Sequence, residues 1–238
     1  MAPERILPGV YAIKIRRGYV NAFIIADGPL SFIDSGLPNQ ASVLLKHIAA
    51  LGSKPEDVEH IAITHHHVDH TGSLADLVHA TNAQVYVHPL DAPIVCGDQP
   101  LASPNPKSIA GKILGPVIRR VTPSRLAALK IDHEVQDGED LPIAGSLRVI
   151  HTPGHTAGHV SYLWPRAGGV LFVGDAAGHM FGRLGLPVGM FTEDMARAKE
   201  SMRKIAALEF NSACFGHGGV LKDKAHAAFR RYVEKMAR

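Results

Sequence analysis

The segment HHHVDH, residues 65–70, places four histidines and one aspartate directly after the apolar run VEHIAIT (58–64). Short apolar runs rich in Val and Ile are typical of buried β-strands, so this polar cluster is predicted to begin where a strand ends. Imidazole and carboxylate groups are common ligands of catalytic zinc. The cluster therefore indicates a metal site at the edge of a sheet. An accidental His-rich loop or an engineered tag would give the same local pattern.

Three further potential ligands occupy the same kind of position elsewhere in the chain. His155 follows a predicted strand at 147–152, Asp175 ends one at 169–175, and His217 lies in the glycine-flanked segment CFGHGG. Each is close to glycine, which permits tight turns and a close approach of backbones. Such repetition is hard to attribute to chance and favours one site built from distant loops.

The remaining patterns predict strands and helices in both halves of the chain. Strands are predicted at 10–15, 21–27, 30–35, 83–88, 160–164 and 213–218, and helices at 39–51, 192–208 and 222–237. Thr192 is predicted as an N-cap, because Glu193 and Asp194 in the first turn favour the helix dipole. Strands followed by helices in each half predict an α+β fold with two sheets packed face to face and helices outside.

The segment 89–130 differs in character from the rest. It contains seven prolines and little strand pattern, but Ile109, Ile113, Val117 and Val121 keep an i, i+4 spacing. This spacing predicts a helix strained at a proline. We expect a helical insert or lid within a single domain that spans 1–238, because the segment is too short for a core of its own.

Composition narrows the classes of function. The chain has 238 residues, 20% of them charged, and no apolar run near the ~20 residues of a membrane helix. Its N-terminus lacks the apolar core of a signal peptide, which favours a cytoplasmic location. Basic residues occur in scattered pairs rather than in a stripe, which argues against nucleic acid as a partner. We expect a small-molecule substrate, no membrane partner, and a monomer or homodimer.

Taken together, the motifs resemble those of the metallo-β-lactamase superfamily, in its glyoxalase-II-like branch. They occur in order as FIDSG (32–36), THHHVDH (64–70), TPGHTAGH (152–159), FVGD (172–175) and FGHG (215–218). The resemblance covers nearly the whole chain, from about residue 10 to residue 220. It implies a four-layer αββα sandwich with two metal ions at one edge, between the sheets.

The resemblance also implies a role for each residue in these motifs. The expected ligands are His65, His67 and His155 for the first metal, Asp69, His70 and His217 for the second, and Asp175 between the two. Asp34 is expected to be a supporting acid beneath the metal-binding loops, and His159 a supporting or packing residue. His66 is expected to point away from both metals, as a structural or solvent-exposed residue.

The expected chemistry is hydrolysis of a small carboxylic ester-type bond, in a thioester, lactone or ester, by metal-bound hydroxide. Paired divalent ions lower the pKa of a bound water and polarise the bond under attack. Zinc is the expected metal, with iron or manganese as alternatives. Asp69 is the candidate catalytic residue that orients the hydroxide and transfers its proton.

Candidates for substrate contact follow the bridging aspartate. His179 and Arg183 are the polar candidates, and an apolar wall is expected from segment 89–130 together with Phe181, Leu186, Met190 and Phe191. Such a wall suits a small ester, thioester or lactone better than a nucleic acid.

Other functions remain open from the sequence. The same ligand set holds iron in the persulfide dioxygenases of the family, which would make the chain an oxidoreductase. A β-lactamase-like amide hydrolase is a further alternative, although the β-lactamases with this His motif generally lack the bridging aspartate that Asp175 would provide. A non-catalytic metal-binding module is the last alternative.

Overall fold

A computed structural model describes residues 2–16 and 19–237. Within these residues the first sheet has the strand order of the sequence. Its strands are β1 (Glu4–Leu7), β2 (Val10–Ile15), β3 (Val20–Ala26), β4 (Leu30–Ile33), β5 (Val58–Ala62), β6 (Gln84–Val87) and β7 (His133–Glu134). Pairing is antiparallel from β1 to β4 and parallel from β4 to β7.

The second half of the chain forms another sheet. Its strands are β8 (Asp140–Leu141), β9 (Leu147–His151), β10 (Val160–Trp164), β11 (Val170–Gly174) and β14 (Ser212–Phe215), after the small hairpin β12 (Gly178–Met180) and β13 (Arg183–Gly185). The order across this sheet is β14-β11-β10-β9-β8, and β14 joins β11 in parallel. Parallel pairing brings the carboxyl ends of β11 and β14 to the same edge.

The helices are α1 (Ala41–Ala50), α2 (Val68–Thr71), α3 (Leu74–Thr81), α4 (Ala92–Val95), α5 (Ile109–Val121), α6 (Met195–Ala206) and α7 (Ala225–Met236), with 3₁₀ turns at Pro55–Asp57 and Gly189–Phe191. Helices α1, α3, α6 and α7 pack on the outer faces of the sheets, whereas α5 contacts the 3₁₀ turn at Gly189–Phe191. Of the helices in the described ranges, none combines the length and apolar character that crossing a bilayer requires.

Apolar side chains fill three layers between these elements. Phe23 and Phe172 meet between the two sheets, with ring centroids 5.5 Å apart. Leu44 lies between the first sheet and its helices, and Phe229 between the second sheet and its helices. Each fully buried side chain of this size contributes about 1.5–3 kcal/mol. The predicted four-layer αββα sandwich is therefore confirmed.

Hydrogen bonds between the two sheets fix one shared edge. The Tyr162 hydroxyl on β10 donates to the Ile63 carbonyl just after β5, at 2.8 Å. The Asn21 side-chain amide on β3 donates to the carbonyls of Phe215 and Gly218, each at 2.9 Å. These bonds hold the loop after β5 against the second sheet and the loop after β14 against the first.

Helix α6 begins later than its predicted start at Thr192. Asp194 is the N-cap, because its carboxylate accepts hydrogen bonds from the amides of Ala196 and Arg197 at 2.9 and 3.1 Å. Thr192 is instead buried, and its hydroxyl donates to the Val188 carbonyl. Asp194, the acidic residue closest to the helix, is therefore the N-cap, and the Thr192 hydroxyl can make another contact.

The packing of the 152–159 loop on α6 gives a stability prediction. Gly154 has φ +134°, and a Cβ built there would lie 2.2 Å from the backbone nitrogen of Ala198. We expect Gly154→Ala to lower the free energy of unfolding by about 3 kcal/mol, because strain and a backbone clash add. Urea denaturation measures the change.

Gly138→Ala is the matched control. Gly138 also has a positive φ, +78°, but no atom lies within 4 Å of the added Cβ. Its cost should therefore be the backbone term alone, about 1 kcal/mol. Equal destabilisation by the two substitutions would show that the contact with α6 does not restrict this loop.

Candidate metal centre

The seven predicted ligands converge at the shared edge of the two sheets. Donor atoms within 4.8 Å of one another form the groups His65–His67–His155, His65–His70–Asp175 and Asp69–His70–His217. Asp175 joins the outer groups, since its carboxylate lies 3.5 Å from His155 Nε2 and 3.1 Å from His217 Nε2. The first and last groups coincide with the two ligand sets that the sequence predicts, and Asp175 lies between them.

The distances between donor atoms suit a small divalent cation. Zn–N bonds of about 2.0–2.1 Å place two donors of a tetrahedron about 3.4 Å apart. His67 Nδ1 and His155 Nε2 are 3.0 Å apart, and His217 Nε2 is 3.4 Å from Asp69 Oδ2. Gly216 permits this closeness, because a Cβ there would lie 2.3 Å from Asp175 Oδ1.

Two threonines orient the first histidine set. His65 Nδ1 is 3.0 Å from the Thr64 hydroxyl, which itself donates to the Asp34 carboxylate. His155 Nδ1 is 3.2 Å from the Thr192 hydroxyl, which donates to Val188. Because each hydroxyl already donates its hydrogen to another acceptor, it can only accept a hydrogen bond from Nδ1–H of the imidazole. The Nε2 lone pairs of both rings are thereby directed at the site.

The second set is oriented in the same way. His70 Nδ1 donates to Asp34 Oδ2 at 2.8 Å, and His217 Nδ1 donates to the Tyr19 carbonyl. In each ring Nε2 is left facing the carboxylates of the site, at 3.5 Å from Asp175 Oδ1 for His70. Second contacts of this kind fix the tautomer of a metal-binding histidine.

Burial keeps the first set of imidazoles neutral. It lowers the pKa of His65 and His67 well below the usual value and that of His155 to about 3. Neighbouring histidines lower the pKa of His65 and His67 further. A neutral imidazole has the lone pair that a metal requires.

Carboxylates dominate the second set. Burial alone would lower the pKa of His70, but Asp34 and Asp175 outweigh it and raise that pKa to about 9. For His217, burial is likewise outweighed, by Asp175 and Asp69, and the pKa rises to about 12. The carboxylates of Asp34, Asp69 and Asp175, all buried or partly buried, thus surround these imidazoles and favour the binding of positive charge.

Unpartnered atoms indicate the same need. His65 Nε2, His70 Nε2 and Asp175 Oδ1 are buried and have no hydrogen-bond partner among the described residues. An unpaired buried polar atom costs about 1–3 kcal/mol, so such atoms rarely persist without a function. Divalent cations bound to the two donor sets would satisfy all three atoms, and the donors therefore fit a metal.

Asp69 lies at the border between solvent and the cluster of predicted metal donors. One carboxylate oxygen is 3.4 Å from His217 Nε2, and the side chain lines the adjoining cavity. Burial would raise the pKa of Asp69, but the His217 hydrogen bond and the His70 charge hold it well below its usual range. Asp69 is thus ionised, and its carboxylate lies beside both the donor atoms and the cavity.

His66 and His159 support the site from behind. His66 is buried rather than solvent-exposed, with its ring nitrogen Nδ1 3.1 Å from Asp91 Oδ2. His159 Nε2 accepts the amide proton of Asp175 at 2.9 Å, and its Nδ1 donates to Thr152 at 2.8 Å. Neither ring belongs to a group of donor atoms.

Sequence reasoning missed three residues that hold the ligands in place. Thr64 and Thr192 orient His65 and His155, and no local pattern marks them, because buried threonine hydroxyls are common. Asp91 accepts hydrogen bonds from the His66 amide and from the 156–158 loop. It follows the carboxyl end of β6, and a carboxylate in this position is the same signal that marked Asp175.

A cavity of about 550 Å³ opens beside the metal cluster. Arg183, Leu186 and Phe191 line it, as do parts of segment 89–130. His179 does not reach it, because its ring packs on Phe215 and its Nδ1 donates to the Gly219 carbonyl at 2.9 Å. Phe181 is 97% exposed and lies outside the lining, and so does Met190.

Comparison with known proteins places these features in a family. The model of the metallo-beta-lactamase superfamily matches residues 15–217. A probable metallo-hydrolase, YflN, of Bacillus subtilis (strain 168) is 32% identical, over 88% of this chain and 84% of that protein. A hydroxyacylglutathione hydrolase of Halorhodospira halophila is 29% identical over 71% of this chain, which spans about half (51%) of that relative.

Solved structures agree with the sequence comparison. A metallo-beta-lactamase family protein from Thermus thermophilus, TTHA1429, superposes with a TM-score of 0.71 and 25% identity, over 98% of this chain and 81% of that one. The predicted family is therefore confirmed by motif order, fold and relatives. The chain belongs to the metallo-beta-lactamase superfamily.

Proposed function

We propose that this chain is a dinuclear metallohydrolase that cleaves a carboxylic ester-type bond, in a thioester, lactone or ester. The observation that carries the proposal is the pair of donor sets joined by Asp175, with buried unpartnered atoms on His65, His70 and Asp175. His65, His67 and His155 would hold one cation, and Asp69, His70 and His217 the other. Zinc suits this mixture of imidazole and carboxylate donors, and iron and manganese are the alternatives.

Two bound cations would supply a low-pKa water and polarise the bond to be cut. The residues of the chain would orient the ligands and transfer the proton. Asp34, Thr64 and Thr192 hold ring protons on the far side of the imidazoles, so that the lone pairs stay directed inward. Asp69 accepts a proton at its carboxylate and passes it to the leaving group, since it lies at the border between cluster and cavity.

The shape and polarity of the site support an ester-type bond. Within the described residues, the cavity lining has one cation, Arg183, besides the predicted metal donors, and otherwise mainly apolar side chains. Nucleic acids need several phosphate-binding cations, and this lining does not offer them. The names of the relatives add weight, since one is a hydroxyacylglutathione hydrolase, which acts on a thioester.

Metal removal tests the proposal directly. Chelated protein should lose turnover on a panel of thioesters, lactones and aryl esters, and added zinc should restore it, because the donors alone have no nucleophile. Metal analysis of protein purified without added metal should find two ions per chain. Iron in the purified protein, with oxygen uptake on glutathione persulfide and no ester turnover, would instead establish the dioxygenase. Turnover of β-lactams alone would establish the amide hydrolase.

Two substitutions test the donor set and the role of Asp69. We expect His155→Ala to lose about one metal ion per chain. We expect Asp69→Asn to lower kcat by about 10²–10⁴, the usual contribution of a positioned acid–base group. Steady-state kinetics and elemental analysis provide both numbers.

Asp76→Asn is the control for these variants, because Asp76 is an exposed carboxylate on α3, outside the donor groups. It should keep the metal content and the kcat of the wild type. Full activity in a His155→Ala variant that has lost metal would rule out the proposed chemistry.

A further inference from the structure

The cavity beside the metal cluster has two apolar walls from different parts of the chain. One wall consists of Leu101, Pro104 and Ile118, and the other of Leu186, Val188 and Phe191. We propose that this cavity binds the unbranched, uncharged aliphatic chain of the substrate's acyl group, with Ile118 as a determinant of chain length. The proposal rests on the ester-type hydrolysis argued above and adds the class of acyl group.

Charge in the lining argues for an uncharged chain. Apart from the predicted metal ligands, Arg183 and Glu193 are the charged side chains that line the cavity in the described ranges, and both are exposed. Burying a charge without a partner costs far more than burying an apolar group. A substrate with several carboxylates or phosphates would therefore gain little here, whereas each buried methylene would be stabilised.

The apolar walls begin at the metal donors. The rings of Phe191 and His67 have centroids 6.5 Å apart, and His155, Asp175 and His217 line the same cavity. If the carbonyl group of the substrate were held at the metal donors, the acyl chain attached to it would extend directly into the apolar part of the cavity. At about 550 Å³ the cavity is within the range for drug-sized ligands, which leaves room beyond a small ester head.

Helix α5 offers an internal comparison for this assignment. Ile118 is partly buried and lines the cavity, whereas Val121, one turn later, is 80% exposed and does not. Both are branched aliphatic residues on one helix. An aspartate at each position therefore separates a charge inside the cavity from a charge on the same helix.

The experiment measures kcat/KM of the zinc-loaded protein for p-nitrophenyl esters from acetate to decanoate. We expect a rise of about threefold per methylene between butanoate and octanoate. Ile118→Asp should flatten this slope, because the chain would then meet a buried carboxylate. Val121→Asp should keep the slope of the wild type. Calorimetric binding of n-alkanols from butanol to decanol should give the same slopes without turnover.

The outcomes separate this proposal from the proposed function. Turnover of short esters with a flat slope, and alkanol binding that does not tighten with length, would overturn the acyl subsite and leave the hydrolase intact. Alkanol binding that tightens with length in a protein without ester turnover would keep the subsite and overturn the hydrolase. An equal loss of slope in both variants would remove Ile118 as the determinant.

A second inference concerns the buried carboxylate of Asp91, which none of the sequence motifs includes. Its Oδ2 accepts from the His66 amide at 2.9 Å and from the Thr156 hydroxyl at 2.8 Å, and its Oδ1 accepts from the Gly158 amide at 2.9 Å. His66 lies between two predicted ligands, and Thr156 directly follows a third. We infer that Asp91 is a positioning residue that fixes His65 and His67 relative to His155.

The hydrogen bonds of Asp91 explain why an aspartate is needed there. Three donors from two loops converge on one carboxylate, and an asparagine would offer a single acceptor atom in its place. Burial would raise the pKa of Asp91, but the His66 contact outweighs it and lowers that pKa to about 2. The carboxylate therefore stays an acceptor on both oxygens.

Zinc affinity, measured by competition with a chelator, tests this role. We expect Asp91→Asn to weaken zinc binding by about 10–100-fold, as loss of supporting contacts around metal sites does. Thr156→Val removes one of the same hydrogen bonds with little change in shape, and we expect a smaller loss in the same direction. It decides the question if Asp91→Asn does not fold.

Asp132→Asn is the matched control. Asp132 also accepts a backbone amide proton, from Val85 at 3.0 Å, but it has no contact with the ligand loops among the described residues. The zinc affinity of the Asp132→Asn protein should equal that of the wild type. Wild-type zinc affinity in Thr156→Val and in folded Asp91→Asn, with only the thermal midpoint lowered, would reduce Asp91 to a purely structural role.

Discussion

The arrangement of the metal centre depends on one buried carboxylate, that of Asp34. It accepts hydrogen bonds from the Thr64 hydroxyl and from His70 Nδ1, and through the threonine it also determines which nitrogen of His65 is protonated. One acceptor therefore selects the tautomer of a histidine in each donor set. Its backbone φ of +62° is unusual for a residue other than glycine, a strain that the hydrogen bonds offset.

The two donor sets can meet only because the sheets present their carboxyl ends at one edge. The loop after β5 carries four of the predicted ligands, while β11 and β14 deliver Asp175 and His217 from the opposite sheet. Tyr162 and Asn21 tie the two sheets together at this edge. Donor separations of 3.0–3.5 Å are therefore a property of the whole sandwich, and a shift between the sheets would change both donor sets together.

The sequence predicts those parts of the molecule that leave a periodic or compositional trace. Apolar runs located nine strands, eight of them within two residues, while β14 ends three residues before its predicted end at 218 and the short strands β1, β7, β8, β12 and β13 were not predicted. The His/Asp positions after the apolar runs located the donor groups. Thr192 shows the limit of such prediction. The acidic residues after it suggested a helix cap, but its side chain is buried and its hydroxyl contacts His155 Nδ1. Thr64 and Thr192 act through tertiary contacts that no local pattern encodes. Asp91 also acts through tertiary contacts, although its position after β6 is a usable signal. His179 failed to reach the cavity for the same reason, since its partner Gly219 lies 40 positions away.

The walls of the cavity come from the segments with the weakest patterns. Segment 89–130 has many prolines, and the 183–193 loop includes only a short strand and a 3₁₀ turn. Neither segment supplies a metal donor, and apart from Asp91 and Thr192, which hold the donor loops, their side chains can change without altering the donor geometry that Asp34 and the two sheets impose. The fold thus separates the part that fixes the chemistry from the part that selects the substrate. This separation is the physical reason why motifs identify the metal centre and the family, while the acyl group has to be inferred from the apolar surface of the cavity.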